Sequence, residues 1–191
     1  MALSTSNKKE IVSKFARTKN HGDDALLRLL VNELELEGFH VVGIDEILGQ
    51  KSTAPVGVFS IHKPTASDQD DILLGVEVAK DLGRLDVGQS VVVQQKVILG
   101  VEAIEGTDSL LHRCANLRRD GVGGVLVKVK KPNQERRADL PTIGSKTVKL
   151  ASEANLKGIA VEADETLIVD YDKVVQEAKD KGLFLIGIKL K

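Results

Sequence analysis

Residues 90–130 read SVVVQQKVILGVEAIEGTDSLLHRCANLRRDGVGGVLVKVK, and this stretch decides the predicted fold. It opens with two apolar runs, at 90–94 and 97–103, each about as long as a buried strand. Only Gln95 and Lys96 separate the two runs, so we expect them to pair as antiparallel strands. Neither residue favours the left-handed conformation of a tight hairpin turn, so the pair lacks the usual turn signal.

An amphipathic segment follows this strand pair. Leu110, Cys114 and Leu117 recur at helical spacing and predict a helix over 107–119. The run at 123–130 then predicts another strand, which the chain enters through a glycine-rich turn. Because Cys114 lies on the apolar stripe of its helix, we interpret it as a small buried hydrophobic residue and not as a reactive thiol.

The same alternation of helices and strands extends in both directions through residues 67–191. Helical patterns occupy 67–85, with Ser67 as the expected N-cap, and also 145–155 and 171–181, and short apolar runs occupy 159–162, 166–170 and 183–188. This order predicts an α/β fold with a mixed, mostly parallel sheet covered by helices.

The front of the chain is organised differently. Residues 23–37 predict an amphipathic helix whose leucines fall on one stripe, and FHVVGI at 39–44 predicts a short buried strand. Residues 49–66 carry Gly, Ser, Thr and Pro around one apolar run, which is typical of a linker or domain edge. We therefore place a domain boundary between residues 66 and 67.

Composition excludes several classes of function. The 191 residues carry 27 basic and 28 acidic side chains and 3% aromatics, so we expect no nucleic-acid partner. One cysteine cannot form an internal disulfide or a thiolate-rich zinc site. No apolar run reaches the roughly 18 residues that a membrane-spanning helix needs. A dinucleotide fingerprint, a Walker A loop and an H-E-x-x-H motif are all missing.

Two segments concentrate polar groups where a strand gives way to a helix. The first, at 101–111, places Glu102 and Glu105 before a predicted helix start, where free backbone N–H groups attract anions. The second, at 128–146, groups lysines and arginines before Asp139 in a proline-stiffened loop. Together they suggest metal-assisted attack on a phosphate, although a capped helix and a solvated basic loop would explain each segment separately.

At these segments the chain resembles a known family. The stretches VGQSVVVQ, VEAIEGTDSLL, GGVLVKVKKPNQERRADLPTIG and GIAVEA occur in order at 87–94, 101–111, 123–144 and 158–163. They are similar to the UDP-2,3-diacylglucosamine hydrolases of lipid A biosynthesis, in the lineage without calcineurin-like metallophosphoesterase motifs. The likeness extends over 22–188 and is densest over 86–144.

The resemblance implies Mg²⁺-dependent (or Mn²⁺-dependent) hydrolysis of UDP-2,3-diacylglucosamine to UMP and 2,3-diacylglucosamine 1-phosphate, in the cytoplasm and peripherally on the inner membrane of Gram-negative bacteria. Within the D-L-P-T-I-G motif, Asp139 would be catalytic, either as the metal ligand or as the base toward water. The expected substrate-binding residues are Thr107, Asp108, Lys128, Gln134, Arg136, Arg137 and Thr142.

This chain departs from the family pattern at its front. Residues 1–66 match only the end of the family's amino-terminal α/β domain and lack its glycine-rich start, so we expect an amino-terminal remnant followed by a catalytic domain at 67–191. The unpartnered leucine stripe of the first helix would then favour a homodimer. Two alternatives remain at this point: a non-catalytic remnant that binds phosphorylated glycolipid or sugar nucleotide, and a module that only dimerises.

Overall fold

The computed structural model describes residues 23–49 and 52–190. Its helices are Asp23–Leu36 (α1), Ile44–Leu48 (α2), Ala66–Arg84 (α3), Gly106–Ala115 (α4), Ser145–Glu153 (α5) and Tyr171–Asp180 (α6). Its strands are Gly57–Val58 (β1), Ser90–Gln94 (β2), Val97–Val101 (β3), Val125–Lys128 (β4), Thr142–Ile143 (β5), Gly158–Glu162 (β6), Leu167–Ile168 (β7) and Phe184–Ile188 (β8).

The main sheet of the described residues has six strands in the order β1-β8-β6-β4-β2-β3. Strands β4, β6 and β8 are mutually parallel, β2 is antiparallel to both β3 and β4, and β1 is antiparallel to β8. Four of the six strands, β3, β4, β6 and β8, therefore run in the same direction. The predicted α/β class with a mixed sheet is confirmed, and β5 and β7 form a separate parallel pair.

Helices cover both faces of this sheet, and the strand alternation decides which residues each face receives. On one face Ile72 and Ala79 of α3 join a cluster with the strand residues Val91, Val93, Val125 and Val127. On the other face the residues of α4, α5 and α6 join a cluster that includes Val92, Leu110, Cys114, Leu126, Val148, Ile159 and Val174. Cys114 is fully buried, and this burial raises the pKa of its thiol, which confirms the interpretation as a core residue.

The β2–β3 pair forms despite its unusual turn residues. Gln95 and Lys96 both adopt positive φ, at 52° and 60°, as a two-residue hairpin of this kind requires. The buried carboxylate of Asp71 on α3 accepts hydrogen bonds from both backbone amides, at 2.9 Å from Gln95 N and 2.6 Å from Lys96 N. A helix residue distant in sequence thus stabilises a turn that the turn sequence itself does not favour.

Replacing Asp71 with alanine should therefore lower the free energy of unfolding by about 2–3 kcal/mol, because two charge-assisted hydrogen bonds to the turn are lost. Urea unfolding of Asp71→Ala and of the parent chain measures this change. A matched variant with Gln95→Asn and Lys96→Gly supplies the preferred turn residues and should be at least as stable as the parent. An Asp71→Ala midpoint equal to that of the parent would contradict this account of the turn.

Two predictions for the front part of the chain were wrong. Helix α1 is present, but 39–44 does not form the predicted buried strand: Phe39 is 59% exposed, and the chain turns at Ile44 into the short helix α2. The N-cap of α3 is Thr65 and not Ser67, because Thr65 and Asp68 exchange hydrogen bonds in a capping box. No helix of the described residues is long and apolar enough to cross a membrane.

The predicted linker contributes to the main sheet. Strand β1 pairs with Ile186 and Gly187 of β8, Thr53 bridges to Leu167, and Ala54 is fully buried. The boundary between residues 66 and 67 stays a prediction, and residues 1–22 of the expected remnant lie outside the described residues.

Candidate active site

The two polar segments meet at one edge of the sheet. Strand β2 is antiparallel to β3 and β4, and its register pairs Ser90 with Lys128 and Val91 with Val101. The start of β2 and the ends of β3 and β4 therefore lie together. A cleft of about 450 Å³ opens there, lined by Asp86, Val87, Gly88, Gln89, Glu102, Ala103, Ile104, Gly106, Lys131 and Asp139.

A chain of hydrogen bonds runs behind Glu102, which lines this cleft. The Lys128 ammonium donates to Thr107 Oγ1 at 2.8 Å, and the Thr107 hydroxyl donates to Glu102 Oε1 at 2.7 Å. The second carboxylate oxygen of Glu102 accepts from the backbone N–H of Gln89 at 3.2 Å. Glu105 occupies the N-cap position of α4 without a side-chain cap, and Thr107 in the first turn connects β4 to Glu102.

Lys128 is a buried cation behind the cleft. Its side chain is buried at the end of β4, and burial lowers the pKa of its ammonium. The nearby carboxylates of Glu102, Asp139 and Asp108 act in the opposite direction and favour the charged form. A cation held in this way is available to neutralise an anion that enters the cleft.

Asp139 reaches the cleft from the loop between β4 and β5. The side-chain amide of Gln134 donates to Asp139 Oδ2 at 2.5 Å, and Gln134 Oε1 accepts from the backbone N–H of Lys131 at 3.0 Å. Within the described residues no donor contacts the other oxygen, Oδ1, of Asp139. The buried Gln134 therefore fixes one carboxylate oxygen and leaves the other available to a ligand.

Two of the expected phosphate ligands point elsewhere. The Arg136 guanidinium pairs with Asp45 of α2 at 2.8 Å and with Glu165 at 2.5 Å. Arg137 pairs with Glu35 of α1 at 2.5 Å and with Glu135 of its own loop at 2.9 Å. Neither arginine lines the cleft, and their assignment to the diphosphate stays a prediction.

Asp108 and Thr142 do not line the cleft either, and, among the described residues, Asp139 is the one expected site residue on its walls. Asp108 pairs with Lys146 of α5 at 2.7 Å. Thr142 is exposed at the start of β5, where its hydroxyl donates to the carbonyl of Leu140 at 3.0 Å. Their contact with substrate also stays a prediction, and the structure brings together Thr107, Lys128, Gln134 and Asp139.

The sequence analysis did not predict that the segment between α3 and β2 forms a wall of the cleft. Asp86 adopts a positive φ of 54° and pairs with Lys131 at 2.6 Å. A Cβ atom on Gly88 would lie 2.1 Å from the backbone oxygen of Glu102, so only glycine permits this approach. The signal was an Asp-Val-Gly turn directly before a buried strand, which turn propensity alone does not distinguish from an ordinary connection.

A larger depression of about 580 Å³ lies between α5 and α6. Its walls are Ser145, Lys146, Lys149, Glu177, Asp180 and Lys181. It contains neither Asp139 nor any other expected site residue. The smaller cleft is therefore the candidate site, because the expected catalytic aspartate lines it and the buried Lys128 lies behind it.

Comparison with known proteins identifies relatives of this chain. The family model described as the LpxI C-terminal domain matches residues 55–186, which include every segment that lines the cleft. A protein of Caulobacter vibrioides, the UDP-2,3-diacylglucosamine pyrophosphatase LpxI, is 44% identical over 173 residues, covering 87% of this chain and 61% of the relative. The chain thus spans less than two thirds of that relative's length. Because the family model matches more than half of the chain, the chain belongs to the LpxI C-terminal domain family.

Proposed function

We propose that this chain hydrolyses the diphosphate bond of UDP-2,3-diacylglucosamine and releases UMP and 2,3-diacylglucosamine 1-phosphate. The observation that carries the proposal is the cleft itself, where Asp139 and Glu102 face an entrance flanked by Lys131 and backed by the buried Lys128. The name of the Caulobacter relative supports this substrate, and so does the resemblance of the motifs around Asp139.

The roles of the side chains follow from their positions. Asp139 accepts the proton of the attacking water or holds the metal, while Lys128 and Lys131 neutralise charge on the diphosphate. The amino-terminal turn of α4 adds backbone N–H groups, because Gly106 lines the cleft and Glu105 provides no side-chain cap. Water adds to the sugar-side phosphorus, the bond from that phosphorus to the bridging oxygen breaks, and UMP leaves.

Mg²⁺, or Mn²⁺ in its place, fits the donor set of this cleft. Asp86, Glu102 and Asp139 supply carboxylate oxygens, the ligands that Mg²⁺ prefers. No group of three or more acidic, histidine or cysteine residues in the described ranges is clustered to hold a metal alone. We therefore propose that one or two carboxylates bind the ion jointly with the substrate phosphates, where it would withdraw charge from the phosphorus under attack.

The lipid part of the substrate suggests where the chain acts. Val87 and Ile104 expose apolar side chains at the cleft, where acyl chains would leave it. We propose a cytoplasmic protein that acts peripherally at the inner membrane. A homodimer joined through the exposed leucines of α1, Leu26, Leu30 and Leu34, belongs to the same proposal.

The test is UMP release from UDP-2,3-diacylglucosamine by the purified full chain, in ¹⁸O water and with Mg²⁺ or EDTA. We expect Mg²⁺-dependent release, with the ¹⁸O atom in the lipid phosphate and not in UMP. Stabilisation of the chain by substrate without release would support binding without turnover and would overturn the hydrolase proposal.

Gln134 provides a prediction within this function. Gln134→Ala should lower kcat about tenfold with a smaller change in KM, because Asp139 loses the donor that orients its carboxylate. Gln176→Ala is the matched control, since Gln176 also donates to an aspartate, Asp180, but on the exposed surface of α6. A kcat for Gln134→Ala equal to that of the control would show that Asp139 needs no orienting partner.

A further inference from the structure

The loop that carries Asp139 is held from outside the cleft by acidic side chains of three other segments. These segments are α1, α2 and the turn between β6 and β7. The groups involved are the side chains of Asp24, Glu35, Asp45 and Glu165 and the backbone carbonyl of Asp164 on the segments, and Glu135, Arg136 and Arg137 on the loop.

Arg137 joins the loop to α1. One terminal nitrogen of its guanidinium donates to Glu35 Oε1 at 2.5 Å. Its Nε and its other terminal nitrogen donate to the two carboxylate oxygens of Glu135, at 2.9 and 3.0 Å. Hydrogen bonding to Arg137 lowers the pKa of the Glu135 carboxyl below its usual value, so this carboxylate stays charged at neutral pH.

Arg136 joins the loop to α2 and to the β6–β7 turn. Its guanidinium contacts Asp45 Oδ2 at 2.8 Å, Glu165 Oε2 at 2.5 Å and the backbone carbonyl of Asp164 at 2.9 Å. Lys130 adds a second cation to Glu165 at 2.8 Å. The donors of this guanidinium are thus directed at protein acceptors on two sides.

A third contact reaches the backbone of the loop. The buried Asp24 at the start of α1 accepts a hydrogen bond from the Glu135 backbone N–H at 2.8 Å. The Glu135 carbonyl in turn accepts from the backbone N–H of Asp139 at 2.9 Å. Only one residue therefore lies between a side chain of α1 and the backbone of the expected catalytic aspartate.

We propose that Arg136 and Arg137 are positioning residues that clasp α1 and α2 onto the loop and keep Asp139 directed into the cleft. The clasp consists of Asp24, Glu35, Asp45, Glu135, Arg136 and Arg137. Its effect on turnover rests on the proposed function, but its effect on the loop does not. The front segment of the chain then acts on the site through the loop and does not touch substrate.

The geometry favours this role over direct contact with a diphosphate. To reach the cleft, each arginine would have to leave two carboxylates, and Asp45, whose side chain is only 13% exposed, would lose its partner. Lysines already supply positive charge at the cleft, from Lys131 on its wall and from Lys128 behind Thr107.

Swapping the charges of Glu35 and Arg137 distinguishes a positioning role of Arg137 from direct contact with the diphosphate. Glu35→Arg and Arg137→Glu each place like charges together, whereas the double variant restores opposite charges but leaves no cation at position 137. Both side chains are about one-third exposed (35% and 31%), so the variants should fold. Glu77→Arg is the matched control, since it makes the same charge change on an exposed face of α3.

Two readouts are needed on the full chain: hydrogen exchange of amides in 131–141, and kcat and KM for UMP release. We expect each single variant to exchange about fivefold faster in the loop and to lose about fivefold in kcat, with KM less affected. The double variant restores the 35–137 pair but not the bonds from position 137 to Glu135, so it should recover at least half of each loss, and the control should match the parent.

Other results of the same measurements would contradict the proposed clasp. If Glu35→Arg exchanged and reacted like the parent while the double variant stayed as impaired as Arg137→Glu, Arg137 would be a substrate ligand. If the parent itself released no UMP, the proposed function would fail, and the exchange rates would still decide the clasp. Unchanged loop exchange in both single variants would reject it.

Discussion

UMP release should fall by about 10²–10³-fold when Asp139 is replaced by asparagine. Asparagine keeps the size of the side chain and an oxygen that can accept the hydrogen bond from Gln134. It removes the negative charge, so it neither takes a proton from water nor holds Mg²⁺ well. The measurement is kcat/KM for the full chain and for Asp139→Asn at saturating Mg²⁺.

The control for this variant is Asp70→Asn, the same substitution at an exposed residue of α3 that pairs with Lys96. Both variants should unfold within about 0.5 kcal/mol of the parent, because neither side chain holds the core together. A loss of less than threefold in Asp139→Asn would remove Asp139 from the chemistry.

Lys128→Met should lower UMP release by about 10²-fold, because the cleft loses the buried positive charge behind Thr107 that would stabilise the developing phosphate charge. The same change should leave the chain at neutral pH as stable as the parent or more stable. Methionine fills a similar volume and carries no charge to desolvate, which offsets the lost hydrogen bond to Thr107. Activity and stability thus change in opposite senses, as expected of a residue kept for function.

The pH dependence of stability provides an independent check on Lys128. Burial lowers its pKa in the folded chain below the unfolded value, so the unfolded chain binds more protons between the two values. Stability of the parent relative to Lys128→Met should therefore rise with pH across that window. Urea unfolding between neutral pH and about pH 10 measures the difference, with the exposed Lys149→Met as control. A difference independent of pH would mean that Lys128 titrates normally.

Elements with strong periodicity were predictable from the sequence. The helix around Leu110 and Cys114 and the strand before Lys128 both bury a continuous apolar surface, and such surfaces leave a local pattern. Predictions failed where apolar residues stay exposed, as at Phe39, or where a distant group decides a local conformation. Asp71 is the clearest case, because it stabilises the Gln95-Lys96 turn from another helix.

The sequence by itself determined the α/β class and the segments that carry the candidate site, and its resemblance to a known family implied Asp139 as the catalytic group. Hydrophobic period and residue type are local properties, and both can be read without knowing which strands are neighbours. Only the tertiary structure decided how the charges pair. The cluster of Arg136 and Arg137 suggests phosphate binding in the sequence, but the fold places Glu35, Asp45 and Glu165 against it. A charge interacts with whatever group lies within a few ångströms, and chain topology, not sequence distance, brings that group there.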